Sequence, residues 1–272
     1  MKKIAVIFAG GTGQRFGSQL PKQFVNVYGR EIIVHTLEVF QNNDEIDEIF
    51  VGCIEEWIPY LKKLINKYKI TKVRDNNIVS GGNNGQDTIY KILKQVRLYN
   101  NDDTIVLISD GVRPIITNEE IHNNIESVIK YGSAITCIPF NETPIYSKNG
   151  EVIDRTLNRS YVYRGVAPQS FRLGHILKAH ELIRKKDLDY QRDYSGVKIV
   201  DSASLIKAAF NEDCAIVLGN INNIKITNTY DFFMLQSIMQ SQDIENFYFG
   251  LQNFHLSPNS AMVEAKNIYE NE

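Results

Sequence analysis

Ala9-Gly10-Gly11-Thr12-Gly13 follows directly on an apolar run, Ile4 to Phe8, with Arg15 and Lys22 close behind. A strand that opens into a glycine-rich turn can present backbone N–H groups to a phosphate, because no side chain obstructs the approach. The two cations add positive charge where an oligophosphate would lie. The expected ligand is a nucleoside triphosphate. Two other glycine-loop chemistries fit less well. A Walker loop needs Lys-Ser or Lys-Thr after its last glycine, and here Gly17 is followed by Ser18-Gln19. A dinucleotide fingerprint, which Gly11, Gly13 and Gly17 approximate, needs a helix that starts at the loop and an acidic residue ending the second strand. Pro21 interrupts such a helix. The acidic residue about twenty positions beyond Gly17 is Glu38, inside a helical pattern.

Three further segments carry chemistry. Ser80-Gly81-Gly82 offers a second stretch of bare backbone, followed by Gln86-Asp87-Thr88. Thr88 stands at the start of a helical pattern, where a hydroxyl either caps the helix or bonds a ligand. Ser109-Asp110-Gly111-Val112-Arg113-Pro114 ends the most continuous apolar run of the chain. A carboxylate there is a cap, an anchor or a metal ligand. Beside a triphosphate, Asp110 is expected to ligate magnesium, which is commonly held by one carboxylate plus substrate phosphates. Glu142-Thr143 follows a later strand.

The elements that position these residues alternate. Strands are expected at Ile4–Phe8, Ile49–Ile54, Asn77–Ser80, Thr104–Ile108 and Ala134–Ile138. Helices are expected at Ile32–Phe40, around Trp57 to Ile65, at Asp87–Tyr99, and from a cap at Asn118 through Ile129. Alternation of this kind implies an α/β fold, Rossmann-like, with a mostly parallel sheet and helices on both faces. In such a sheet ligands lie outside the carboxyl ends of the strands, where the four segments above fall. The alternation breaks between about Pro139 and Arg164, which reads as a protruding hairpin-like β-arm. Helices return at His175–Lys186 and Ser202–Phe210. A strand pair, Ala215–Leu218 and Ile224–Thr227, precedes a helix from Tyr230 to about Met239. The segment from about Ser241, with Phe247, Tyr248, Phe249 and Phe254, reads as a weakly packed tail.

Composition narrows the class. A net charge of -2 gives no broad footprint for nucleic acid. The apolar runs are too short to span a bilayer, and with the first strand so close to Met1 no leader segment is expected. The three cysteines, Cys53, Cys137 and Cys214, are isolated, which fits reduced thiols in a cytoplasmic protein. The histidines lack metal-ligand spacing, and His35, among Ile32, Ile33, Val34 and Leu37, reads as a satisfied helix-face residue.

The segment AGGTGQRFGSQLPKQFVNVYGREIIVHTLEVF resembles the opening of the cytidylyltransferases that make CDP-linked polyols, namely the 2-C-methyl-D-erythritol 4-phosphate and ribitol-5-phosphate enzymes. The resemblance continues through SGGNNGQDTI, SDGVRP, RTLNRSYVYRGVAPQSF, DSASL and NNIKITNTYDF, covering about residues 1–240 as a catalytic domain and leaving 241–272 as the tail. It implies a fold of the nucleotide-diphospho-sugar transferase type, CTP and a polyol or sugar phosphate as substrates, and Mg²⁺ as cofactor. It also implies a homodimer joined through the 139–165 arm. By the same resemblance, Ala9, Gly10, Gly11 and Gly13 form the phosphate loop. Gly82 and Thr88 read cytosine, Asp110 and Gly111 lie at the nucleotide, and Asp110 is the magnesium-associated residue. Arg15 and Lys22 bind the triphosphate and stabilise the transition state. Arg113 braces the site, and Thr143, Arg159 and Lys225 hold the acceptor phosphate, Arg159 from the partner subunit.

Two positions depart from the pattern. Ser109 stands where these enzymes usually have His, and Gly85 where they usually have Arg. Both changes bear on the acceptor. The segments EEWIPYLKKLINKY and VYRGVAPQSF are more similar to the ribitol enzymes, which makes ribitol 5-phosphate the expected acceptor and methylerythritol 4-phosphate the alternative. A non-catalytic nucleotide-binding homologue and an NAD-binding dehydrogenase are the readings from other classes.

Overall fold

The computed structural model describes residues 1–11, 20–185 and 199–253, with side chains described as far as residue 241. Two compact units divide the chain, Met1–Asn228 and Thr229–Glu272. In the first unit the elements run β1 (Lys3–Ala9), β2 (Asn26–Val27), β3 (Arg30–Glu31), α1 (Ile32–Gln41), β4 (Glu48–Cys53), α2 (Ile58–Lys67), β5 (Ile78–Ser80) and α3 (Gly85–Arg97). They continue with β6 (Ile105–Asp110), α4 (Asn118–Tyr131), β7 (Ser133–Pro139), β8 (Ile145–Tyr146), β9 (Arg155–Thr156), β10 (Tyr163–Arg172), α5 (Leu173–Lys185), α6 (Ser202–Phe210) and β11 (Ile216–Leu218).

Among the described residues seven strands form the main sheet, in the order β11-β7-β10-β6-β1-β4-β5. The β1–β4, β1–β6, β4–β5 and β7–β11 pairs are parallel. Period-two alternation sends β1 side chains to opposite faces. Ile4 and Val6 pack with Ile89, Ile92, Leu93 and Val96 of α3 and with α5 and α6. Ala5 and Ile7 pack with α1, α2 and α4. Helices therefore cover both faces, and the expected α/β architecture is the observed one.

The structure corrects several local expectations. β10 lies between β6 and β7 and is antiparallel to both. Gly165 and Pro168 disguise it in the sequence. The register shifts between Gly165 and Gln169, a bulge that accommodates the proline inside a strand. The cap of α4 is Thr117, with Asn118 the first helical residue. Thr117 Oγ1 accepts the Glu120 N–H at 3.1 Å, and the Glu120 carboxylate accepts the Thr117 N–H at 2.8 Å, a reciprocal capping box. Ile224–Thr227 forms no strand; its main chain ties instead to the β6 turn, through the Ile226 N–H to the Val112 carbonyl at 3.0 Å.

The arm closes as a hairpin, with β8 antiparallel to β9. Asn149 Oδ1 accepts the Glu151 N–H at 3.0 Å, and Gly150 takes the positive φ of 77° that the turn requires. Ile145, Tyr146, Val152, Ile153 and Tyr161 are exposed along it. His35 Nε2 donates to the Val27 carbonyl at 2.9 Å, as a satisfied helix-face residue would. Cys53 and Cys137 are buried in the sheet, and burial pushes the Cys53 thiol up to about 12.

In the second unit, among the described residues, the helix α7 (Thr229–Asn253) runs well past the end expected near Met239. It takes in the backbone of Phe247, Tyr248 and Phe249, because nothing between Met239 and Phe249 breaks a helix. Phe254 lies outside the described residues.

Candidate active site

Three strand ends are tied into one edge by main-chain bonds. The β1–β6 register sets Phe8 beside Asp110, and the Gly111 N–H donates to the Phe8 carbonyl at 3.0 Å. The Gly81 N–H donates to the Cys53 carbonyl, the end of β4, at 2.7 Å. Both glycine segments and the Asp110 turn thus leave the sheet together.

Their contact is close enough to require glycine. A methyl group at Gly10 would sit 2.8 Å from Thr88 Oγ1, and one at Gly82 would sit 2.2 Å from Asp87 Oδ2. The buried Thr88 hydroxyl accepts the Gly82 N–H at 3.0 Å and donates to the Asn84 carbonyl at 2.9 Å. Its hydrogen is thus spent within the protein, and what Thr88 supplies is the shape of the Gly81–Gly82 loop. Asn84 caps α3 through the Asp87 N–H, while Asp87 Oδ2 accepts the Asn83 N–H at 3.0 Å. Arg184 pairs with the same carboxylate.

The start of the first glycine loop is fixed by a residue the sequence reading passed over. Gln23, buried, donates through Nε2 to the Ala9 carbonyl at 2.8 Å and to the Gly11 carbonyl at 3.2 Å. Gln23 sits in a 3-10 turn, Lys22–Phe24, that starts after Pro21. The turn carries Lys22 alongside the loop. Among the described residues of this segment, the first α-helix begins at Ile32.

Across the loop lies an ionic cluster. Asp110 is buried at the end of β6. Its Oδ1 accepts Lys225 Nζ at 2.5 Å, and its Oδ2 accepts Arg113 Nε at 2.9 Å. Burial alone would push the carboxyl up; the Lys225 and Arg113 charges and their hydrogen bonds hold it below the ordinary carboxylate range. Arg113 Nη1 donates to the Asn223 carbonyl at 3.1 Å. The β6 turn and the segment carrying Lys225 are thereby locked together, although 110 residues separate Arg113 from Asn223.

Of the residues picked from the sequence, Ala9, Gly10, Gly11, Lys22, Gly82, Thr88, Asp110, Gly111, Arg113 and Lys225 fall on this edge. Gly13 and Arg15 lie outside the described residues. Thr143 is exposed on the arm, and Arg159, also exposed, donates to the Asn141 carbonyl at 3.3 Å. Gln23 and Asn223 were legible only as neighbours of Lys22 and Lys225, since a buried amide that anchors main chain has no spacing signature. Among the described residues no group of three or more His, Cys, Asp or Glu side chains could hold a metal.

The model of the family described as 2-C-methyl-D-erythritol 4-phosphate cytidylyltransferase, IspD, matches residues 3–241. The chain belongs to this cytidylyltransferase family. Its members are CTP-using nucleotidyltransferases. The ribitol-5-phosphate cytidylyltransferase of Streptococcus agalactiae serotype V is 40% identical over 255 residues, spanning 91% of this chain and 99% of the relative. That of Vibrio parahaemolyticus is 40% identical over 241 residues, 88% of this chain and 97% of the relative. Among solved structures, the 4-diphosphocytidyl-2C-methyl-D-erythritol synthase of Anaerococcus prevotii matches with a TM-score of 0.71 at 27% identity, covering 88% of this chain and 96% of the other. The 2-C-methyl-D-erythritol 4-phosphate cytidylyltransferase of Francisella tularensis gives 0.69 at 26% identity, covering 88% and 100%. Ser109 is fully buried on β6, and Gly85 opens α3, where an added methyl would stand 3.7 Å from the Phe8 ring.

Proposed function

We propose that the protein couples CTP to D-ribitol 5-phosphate, giving CDP-ribitol and pyrophosphate. The observation that carries this reading is the 40% identity to ribitol-5-phosphate cytidylyltransferases across nine-tenths of the chain. The residue roles follow from charge. The acceptor phosphate is already an anionic nucleophile and needs no general base. One of its oxygens forms a bond to the α-phosphorus of CTP. The bond from that phosphorus to the β-bridging oxygen breaks, and pyrophosphate leaves with the electron pair. Catalysis is then positioning plus neutralisation of two approaching anions.

In this reading Ala9, Gly10, Gly11 and Gly13 cradle the triphosphate, with Arg15 and Lys22 as its cations. The Gly82 loop, braced by Thr88, meets the cytosine, and Gly111 lies at the nucleotide. Lys225 receives the acceptor phosphate beside Asp110, and Arg113 holds that carboxylate in place. Thr143 and Arg159 complete the acceptor site from the arm. The exposed apolar residues of the arm and its separation from the main sheet support a homodimer in which Arg159 serves the partner's site. The catalytic domain ends near residue 240, which fits the family match to 241. Among the described residues no helix is long and apolar enough to cross a membrane. The isolated cysteines, free thiols in the structure, support a cytoplasmic location.

Magnesium fits this donor set. Asp110 accepts one bond at each oxygen and keeps lone pairs free, and one carboxylate plus phosphate oxygens suits the ion. Asp110 would hold it, and the ion would supply charge neutralisation at the triphosphate. Methylerythritol 4-phosphate is the second reading, favoured by the description of the matching family. Intact Lys22, Asp110 and Lys225 argue against a non-catalytic homologue. The test is pyrophosphate release from CTP and Mg²⁺ with a panel of polyol and sugar phosphates. Release with ribitol 5-phosphate supports the proposal, and CTP binding with no release from any acceptor supports the non-catalytic homologue.

A further inference from the structure

Lys225 stands on a segment without regular structure, yet its ammonium lies 2.5 Å from a buried carboxylate. Something must hold that segment. The capping box of α4 needs only one oxygen of Glu120, since Oε2 accepts both the Thr117 N–H at 2.8 Å and the Thr117 hydroxyl at 3.2 Å. The other oxygen, Oε1, points away from the helix. It accepts the Asn220 N–H at 2.9 Å and Asn223 Nδ2 at 3.0 Å. Asn223, fully buried, also donates to the Ala167 carbonyl at 2.7 Å and receives Arg113 at its own carbonyl. Gly219 lets the loop approach, because a methyl group there would come within 2.8 Å of Glu120 Oε1.

We infer that Glu120 is a positioning residue for the transfer reaction, using its second oxygen to fix the 219–223 loop and so the location of Lys225 at Asp110. The inference rests on the reading of Lys225 as the acceptor-phosphate cation. It adds a residue that touches no substrate and that helix capping alone would explain only in half. A carboxylate is required there, since four donors converge on two oxygens. A glutamine has one carbonyl: turned to the cap, it sets its amide against the Asn220 N–H and Asn223 Nδ2, and turned to the loop, it sets its amide against the Thr117 N–H.

The test compares Glu120→Gln with Thr117→Ala in the full chain. Thr117→Ala removes the cap and leaves the loop bonds of Oε1 intact, so it controls for lost helix stability. In Glu120→Gln, kcat/KM for ribitol 5-phosphate should fall by about tenfold or more, the cost of misplacing a charged group by a fraction of an ångström. The Kd for CTP should hardly change. Acetylation of Lys225 by acetic anhydride, followed by peptide mass spectrometry, should become several-fold faster as the ammonium leaves Asp110. Thr117→Ala should alter none of the three. Equal losses in both variants, or an unchanged Lys225 acetylation rate in Glu120→Gln, would overturn the inference. If Glu120→Gln does not fold, Asn223→Ala keeps the α4 cap and should show the same pattern. If the wild type turns over no acceptor, the acceptor reading fails and the acetylation rates alone decide the positioning claim.

Discussion

Replacing Asp110 by alanine should destabilise the protein by an amount the geometry sets. The carboxylate holds two cations of unequal exposure. The Arg113 side chain is only 9% exposed, whereas that of Lys225 is 39% exposed. Breaking a buried pair by removing one partner costs about 3–5 kcal/mol, because a charge is left uncompensated. Lys225 regains water when released, so its share is the fraction of a kilocalorie of an exposed pair. Arg113 keeps its bond to the Asn223 carbonyl, which sets the loss at the low end, about 3 kcal/mol. For a domain of this size each kcal/mol shifts Tm by about 2–4 °C, so the drop should be about 6–12 °C. The assay is thermal denaturation followed by circular dichroism at pH 7, repeated at falling pH. The folded-state carboxyl titrates below its unfolded value of about 3.9. Its stabilisation is complete above that value and is lost as pH falls through the folded one. The gap between wild type and variant should therefore hold from pH 7 to pH 5 and close in stronger acid. A Tm within about 2 °C of wild type at pH 7 would refute the reasoning, as would a gap that widens on acidification.

Two further outcomes concern catalysis. Lys22→Ala should fold normally, with kcat down by about 10²-fold or more, on the scale of losing a donor to transition-state charge; wild-type turnover would remove Lys22 from the triphosphate site. Arg159→Ala should also be impaired, and mixing it with Lys22→Ala subunits should restore activity through hybrid dimers that hold one intact site. No recovery on mixing would mean that Arg159 serves its own chain or neither.

The sequence carried the layered fold because its buried strands are short, continuous apolar runs and its helices have well-defined apolar faces. Strand β10 escaped because Gly165 and Pro168 are breaking signals that a bulge neutralised. Ile224–Thr227 deceived in the opposite sense: its alternation reads as a strand, but its backbone bonds to a loop. The candidate site was legible where chemistry demands particular residue types, at the glycines and Asp110, whereas Lys225 came only from the family resemblance. It was not legible where an ordinary polar residue acts through tertiary contact. Gln23 on the Ala9 and Gly11 carbonyls, Asn223 on Arg113 and the second oxygen of Glu120 depend on chain segments brought together only by folding. Thr88 shows the limit from the other side, a residue singled out for ligand contact whose hydroxyl is engaged by its own loop.

The most direct test of the account is the ratio of kcat/KM for ribitol 5-phosphate to that for 2-C-methyl-D-erythritol 4-phosphate, measured with saturating CTP and Mg²⁺ and with the product identified by mass spectrometry. The account predicts CDP-ribitol and a ratio well above one. A ratio below one, or pyrophosphate release with neither acceptor, would contradict it.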